Sequence, residues 1–294
     1  MIHTIDLKFL GNTKTIAAFL IENGDDPILV ETGPYSTFAY LKAGIEQAGY
    51  QVADIKHVFL SHIHFDHAGA AWAFAQHGAT IYLHPFGAKH LAEPAKLYES
   101  ARQIYQEQMD TLWGAMQSIP ESQLQTAEDE QAFPIGNLVL KAWHTPGHAA
   151  HHIAWQLNEV IFAGDVAGVS IDNGPVIAPL PPPDIDIELW IKSIALLRRL
   201  NPAKMYLTHF GEISQITAHL EKLEYNIFLQ VNWVKDHWLA GESITEMVRP
   251  FEQFCLEDLR KQGVAEADIQ KYQGANPAFM SVAGLVRYWK KRLN

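Results

Sequence analysis

Residues 60–70 read "LSHIHFDHAGA" and place three imidazoles and a carboxylate, His62, His64, Asp66 and His67, within six positions directly after an apolar run. In an extended segment, residues two apart point the same way, so His62 and His64 can converge on one ion while Asp66 and His67 turn toward a second point. Imidazole nitrogen and carboxylate oxygen reach Zn²⁺ at roughly 2.0–2.2 Å, and a four-coordinate site needs three or four such donors held together. One loop cannot close two sites alone. Three later segments offer the remainder: "HTPGHAAHH" brings His148 after a Pro-Gly turn, "IFAGDVAG" brings Asp165 after an apolar strand and a glycine, and "YLTHFG" brings His209. A lone histidine or aspartate at a strand end is ordinarily a turn or solvated loop residue. Four ligand-bearing strand ends along one chain are far more specific and predict a metal centre.

The surrounding pattern predicts the elements that would position these groups. "TIAAFLIENGDDPILVETGP" reads as two strands about a Gly-Asp-Asp-Pro turn. Residues 36–50 predict a helix capped by Ser36 and stopped at Gly49, and "IKHVFLS" returns as the strand that leads into the histidine loop. A helix ending at Gly78 and the strand "ATIYLHP" follow. Apolar spacing over 90–117 suggests one helix despite Pro94. Strands are expected within "NLVLKAWHTPGH", "HHIAWQL", "VIFAGDVAG" and "KMYLTHFG", with a helix between Asp186 and Asn201-Pro202 before the last of them. Beyond residue 215 the spacing of Ile216, Leu220, Leu223, Ile227, Val231, Val234 and Trp238 predicts a long amphipathic helix. The tail reads as further helix, with turns at "KQG" and "GANP".

Composition narrows the function classes. The 294 residues are 48% hydrophobic and 19% charged, a globular balance, and the formal net charge of −11 disfavours nucleic acid as partner. The opening "MIHTIDLKFLGNTKT" does not read as a signal peptide, and no run of about 18 apolar residues marks a membrane span. Cys255 is the only cysteine, which rules out an intramolecular disulfide and leaves nitrogen and oxygen to hold any metal; a cytoplasmic setting is expected. Cys255 itself is expected to be a small buried hydrophobe.

"HIHFDH", "PGH", "GD" and "THFG", with "FLIENGDDPILVETGP" as the early hairpin, together resemble the metallo-β-lactamase superfamily, which includes glyoxalase II, lactonases, nucleases and the lactamases. The resemblance covers residues 1 to about 215. It implies an α+β fold, a four-layer αβ/βα sandwich over 1–215, with residues 216–294 as a helical extension packed on it. It also implies two divalent ions, zinc in the first place with iron or manganese as alternatives. Positions matching His62, His64 and His148 bind the first, those matching Asp66, His67 and His209 the second, and the one matching Asp165 bridges both. Glu31 stands where the family usually carries aspartate, at a position that braces the metal loop. A water shared by two dications ionises near neutral pH, one Zn²⁺ alone bringing the pKa of its water to about 7. The hydroxide so formed would attack a carbonyl ester, a thioester or lactone above all, with Asp66 as a ligand that also holds the nucleophile's proton.

Other readings stay in play. A persulfide dioxygenase relative would use one iron on the positions matching His62, His148 and Asp165, leaving four retained ligands without a role. A phosphodiesterase would use the same two ions, and a purely structural metal site would need no substrate. The flavodiiron branch carries glutamate where His64 stands, and the lactonase branch a tyrosine shortly after the bridging aspartate that "GDVAGVSID" lacks. His151 and His152 are candidates for bracing the ligands or touching a small-molecule substrate. Tyr105 and Trp113, with Met109 and Met116, could line a substrate pocket, although helical spacing equally fits a core. "RYWKKR", with Arg287, Lys290, Lys291 and Arg292, could meet a substrate carboxylate, or simply complement a helix C-terminus. Oligomeric state is not legible in the sequence.

Overall fold

Every residue of the strand Ala17–Ile21 is buried, and its alternation sends the two sets of side chains into different cores. Ala18 and Leu20 pack with helices; Ala17, Phe19 and Ile21 pack against a second sheet. A strand covered on both faces must be apolar throughout, which is why this stretch shows no polar alternation.

The computed structural model describes residues 1–293. β1 (Ile2–Asp6), β2 (Ala17–Ile21) and β3 (Ile28–Val30) form an antiparallel meander, and α1 (Phe38–Gln47) leads to β4 (His57–Phe59). α2 (Phe65–Ala68) and α3 (Ala71–Ala75) precede β5 (Thr80–Leu83), and α4 (Pro85–Ala92), α5 (Ala95–Tyr105) and α6 (Met109–Leu112) precede β6 (Leu124–Thr126). These strands pair in sequence order, parallel from β3 onward. The second sheet holds β7 (Ala132–Ile135), β8 (Leu138–His144), β9 (Ile153–Leu157) and β10 (Val160–Phe162). After α7 (Ile187–Leu200) it gains β11 (Lys204–Leu207) and β12 (Gly211–Ile213), in the order β12-β11-β10-β9-β8-β7. α8 (Ile216–Leu239), α9 (Ile244–Lys261), α10 (Glu266–Ala275) and α11 (Ala278–Leu293) complete the chain. Among the described residues no helix is long and apolar enough to cross a membrane.

The layers are helix, sheet, sheet, helix, the expected αβ/βα sandwich. Between the sheets lies an aromatic core: Phe59 stacks on Tyr82 at 4.2 Å and meets Trp155 edge-on at 4.8 Å, while Phe19 contacts Phe162 and Tyr206 at 5.5 and 5.3 Å. Trp155 Nε1 donates to the carbonyl of Leu60, 2.9 Å away, so the inter-sheet core is tied directly to the start of the histidine loop.

Three expectations are corrected. The single helix over 90–117 is broken: Glu93 is driven out of helical geometry (φ −128°, ψ 74°) ahead of Pro94, and Gln106 interrupts the chain again at φ 48°. Ser36 does not cap α1. It lies in a 3₁₀ turn, Tyr35–Thr37, and its hydroxyl donates to Leu112 O at 2.6 Å. β6 and β12 went unread because each is an edge strand of three residues with little apolar signal, and β7, an apolar edge strand of four residues, because it carries Pro134, which an edge tolerates. The helix over 187–200 forms as expected, with the Asp186 side chain accepting from Leu189 N at 2.9 Å and Asn201 in the left-handed region.

The C-terminal helices do more than sit on a finished domain. Ile161, Met205, Leu207 and Trp190 share one apolar cluster with Leu223, Ile227, Phe251 and Leu285. Polar side chains of the extension also hold the loop that follows Asp165. His219 contacts Ala167 O at 2.8 Å, Asn226 accepts from Ala178 N at 2.9 Å, and the buried Tyr272 hydroxyl accepts from Ile171 N and donates to Pro175 O, at 3.1 and 2.6 Å. A chain ending at residue 215 bares the apolar faces of β10, β11 and α7 and is expected to aggregate. Size-exclusion chromatography with a denaturation curve checks this, and a monomeric, cooperatively unfolding 1–215 fragment overturns it.

Candidate metal centre

The seven ligand candidates of the sequence meet at one edge of the sandwich. His62 and His64 lie on the segment leaving β4, and Asp66 and His67 occupy the first turn of α2. His148 sits in the turn between β8 and β9, Asp165 in the 3₁₀ turn after β10, and His209 directly past β11. Gly147 lets the His148 turn lie on α7: at φ 142° it faces the Trp190 backbone so closely that a Cβ would overlap it. Trp190 in turn meets the His148 ring edge-on at 5.7 Å and donates to Val166 O at 2.8 Å, linking the turns that carry His148 and Asp165.

Donor atoms cluster as His62, His64 and His148, as Asp66, His67 and His209, and as His62, His67 and Asp165, each set lying within 4.8 Å of one another. Asp165 joins the first two sets: Oδ2 is 3.3 Å from His148 Nε2, and Oδ1 is 3.4 and 3.5 Å from the Nε2 atoms of His67 and His209. Asp66 Oδ2 lies 3.4 Å from His209 Nε2. Three imidazole nitrogens, His62 Nε2, His64 Nδ1 and His148 Nε2, converge with separations of 2.9 and 3.1 Å about His64.

The residues fit bound divalent metal. His67 Nε2 and Asp165 Oδ1 are buried with no hydrogen-bond partner, a costly arrangement unless something satisfies them. The outward nitrogens of four of the rings, His62, His67, His148 and His209, are committed. His148 Nδ1 donates to Pro179 O at 2.9 Å and His209 Nδ1 to Thr15 O at 2.7 Å, so Nε2 of each ring keeps its lone pair for the centre. His62 Nδ1 bonds the Ser61 hydroxyl at 2.9 Å. Glu31, itself buried at φ 65°, puts Oε1 3.3 Å from His67 Nδ1 and 3.3 Å from Ser61 N. The longer carboxylate therefore reaches both the ring and the backbone of the loop. Ser61 and Thr15 O were missed in the sequence, since a small hydroxyl and a backbone carbonyl carry no signal of their own.

Burial, reinforced by neighbouring imidazoles, pushes His62 and His64 well below the ordinary histidine range and keeps them neutral. Burial also opposes charge on His67, but Asp165, Glu31 and Asp66 together outweigh it and hold that ring's proton well above the usual value. Burial raises Asp66, yet the charges of His67 and His209 prevail and set it at about 2. The field at this point strongly favours positive charge, which neutral nitrogens and two ionised carboxylates would present to dications.

The other candidates divide. His152 is fully buried; its Nδ1 meets the Thr145 hydroxyl at 2.8 Å and its Nε2 accepts from Asp165 N at 3.2 Å, so it fixes the Asp165 turn and lies away from the cavity. His151 packs 5.8 Å from the His64 ring with its Nδ1 buried and unpartnered, and burial pushes it down to about 3. Tyr105 and Trp113 line a cavity of about 830 Å³ that also reaches His64, Asp66, Asp165 and His209. The basic tail does not line that cavity. Arg287 and Lys291 donate to Pro183 O, Arg292 pairs with Glu188, and Lys291 and Arg292 face a separate open cavity on the far side of the Pro181–Pro183 wall. Cys255 is half-buried, with its thiol pushed up to about 12 by burial, then by Asp258 and Glu252.

The sequence profile described as the metallo-beta-lactamase superfamily matches residues 12–209. A metallo-beta-lactamase fold-containing protein of Sulfurisphaera tokodaii is 27% identical over 200 residues, covering 66% of this chain and 76% of its own. A hydroxyacylglutathione hydrolase of Tolumonas auensis is 26% identical over 147 residues, half of this chain and 45% of the relative's length. Among solved structures, a metallo-beta-lactamase family protein of Thermus thermophilus superposes over 99% of this chain and 93% of its own with a TM-score of 0.66 at 19% identity, a likeness of fold alone.

Replacing Glu31 by Gln removes the charge beside His67 while keeping the shape of the side chain. Affinity for the more weakly held ion is expected to fall roughly 10- to 100-fold, read by competition with a chromogenic chelator, and unchanged affinity would show that Glu31 does not brace the centre.

Proposed function

The chain belongs to the metallo-β-lactamase superfamily, and from that premise we propose that it is a dinuclear metal-dependent hydrolase acting on a carbonyl ester, a thioester or lactone above all. The observation that carries this reading is Asp165, whose two oxygens face two separate sets of ligands, His148 on one side and His67 with His209 on the other. Zinc is the proposed metal, with iron or manganese as alternatives that the same donors accept. When bound, two such ions supply a water ionised near neutral pH and a Lewis acid for the carbonyl oxygen.

The chain's own groups do the rest. Asp66 is the one carboxylate of the centre with appreciable exposure, 21%, and it opens on the cavity. Ionised at neutral pH, it accepts the hydrogen bond of the attacking water and orients it toward the substrate carbonyl. His209, pinned through Nδ1 to Thr15 O, fixes the Asp66 carboxylate from behind. Apolar walls about the cavity exclude bulk water and hold the substrate body. The substrate is a small molecule, and we place the protein in the cytoplasm, a setting that its single cysteine supports.

A mononuclear iron dioxygenase leaves Asp66, His67 and His209 without a role although they form their own ligand set. A phosphodiesterase is disfavoured by cavity walls without lysine or arginine. A purely structural metal would have its shell closed, whereas His64, Asp66, Asp165 and His209 all reach the cavity.

Metal analysis is expected to give about two ions per chain, and a screen of thioester, lactone, β-lactam and phosphodiester substrates is expected to show turnover confined to the first two. Asp165→Ala should lose activity by on the order of a hundredfold or more while keeping its circular dichroism spectrum. Full activity in that variant, or a single iron with sulfite formed from a persulfide, overturns the reading.

A further inference from the structure

The cavity above the centre has walls of a definite chemistry. Phe9, Phe65, Tyr105, Trp113 and Phe279 supply an aromatic surface, with Leu97, Ile104, Met280 and the prolines 181–183 filling the gaps. Trp113 is held in place by Phe9 and Phe65, stacked at 5.6 and 5.9 Å, and by Tyr105, edge-on at 5.2 Å. Among the described residues, no lysine or arginine lines this space, and its formal charges away from the histidines are those of Asp66, Asp165 and Glu107. The nearby cations are committed elsewhere, Arg287 and Lys291 to Pro183 O and Arg292 to Glu188.

Resting on the hydrolase reading above, we propose that the substrate is an electrically neutral ester or thioester whose hydrocarbon or aromatic body fills this cavity, and that anionic thiol conjugates such as glutathione thioesters are rejected. A conjugate carrying free carboxylates would bring them either against the apolar walls or beside the exposed, like-charged Glu107 at the rim, with no lysine or arginine to pair them. An uncharged chain gains instead from every methylene that leaves water. The cavity volume, about 830 Å³, matches sites that enclose a small molecule of appreciable size. In the reaction itself water adds to the carbonyl carbon, the carbon–sulfur or carbon–oxygen bond breaks, and the thiol or alcohol leaves with a proton while the acid ionises.

The test compares metal-loaded protein on acetyl, hexanoyl and decanoyl thioesters of N-acetylcysteamine, which are neutral, with the same acyl groups on glutathione. On the neutral series kcat/KM is expected to rise roughly three- to fourfold per methylene until the cavity is full, and the glutathione series should lag at every length. Calorimetric titration with inert methyl ketones of matching length reads the cavity without turnover. Affinity that climbs with length while neither these thioesters nor lactones of matching chain length are cleaved sustains the cavity assignment and sinks the hydrolase reading. Turnover with a flat length profile, or a preference for glutathione, overturns the assignment and leaves the hydrolase standing. Phe279→Arg, at a wall position 39% exposed, adds a cation and is expected to shift preference toward the glutathione series; no shift counts against the proposal.

Discussion

A carboxylate only 3% exposed has to be compensated locally, and Asp165 is faced by three imidazoles, brought from different segments of the chain, that together with it form a donor set for a cation. No single element could deliver them. His67 follows a strand of the first sheet, and His148 and His209 come from the second, so the donor set about Asp165 is complete only when both sheets are stacked in register. The aromatic core between the sheets is thus a structural requirement of the site: Trp155 fills that core and also donates to Leu60 O, and Ile153 N donates to Ser61 O at 2.7 Å. Packing of the sheets and placement of the ligands are one event.

Much of the centre was legible in the sequence because ligand chemistry leaves few residue types to choose from. His62, His64, Asp66, His67, His148, Asp165 and His209 announce themselves by type and by their place after apolar strands. The strands β2 to β5 and β9 to β11 were legible because burial on both faces demands continuous apolar runs, and β8 because its buried Leu140 and Ala142 alternate with more open positions. What escaped is what burial and chemistry do not demand. Edge strands β6, β7 and β12 are short, β7 being interrupted by Pro134 and the other two carrying polar residues, and the bracing acceptors Thr15 O and Pro179 O are backbone atoms. His152 shows the limit from the other side: its type and position suggest a ligand or substrate contact, but only the fold shows both ring nitrogens spent on Thr145 and the Asp165 turn.

The C-terminal helices belong to the same interdependence. Tyr272, Asn226 and His219 hold the stretch 167–178 that continues from Asp165, and Asp172 within it pairs with both Lys14 and Lys271. Lys14 is adjacent to Thr15, whose carbonyl orients His209. An ion pair at the surface contributes little by itself, but this one closes a ring of contacts from the N-terminal loop through the centre to α10. Anything that binds at the centre is therefore linked to the docking of the extension, because binding to the folded form alone stabilises every element needed to form the site.

Besides Phe9, Phe65 and prolines 181–183, the cavity wall is drawn from two stretches, 97–113 between β5 and β6 and 274–280 at the junction of α10 and α11, neither of which supplies a ligand candidate to the centre. The first is broken at Glu93-Pro94 and Gln106 into short helices that hold one another through the Tyr98 hydroxyl on Asp110 and Gly114 O and through Tyr105 against Trp113. Ala101, Met109 and Trp113 belong to the core, whereas an exposed wall position such as Ile104 can be exchanged without disturbing the sheets. A laboratory library confined to the exposed wall positions, Ile104 and Phe279 among them, would therefore reshape the cavity while leaving the donor residues of the centre in place.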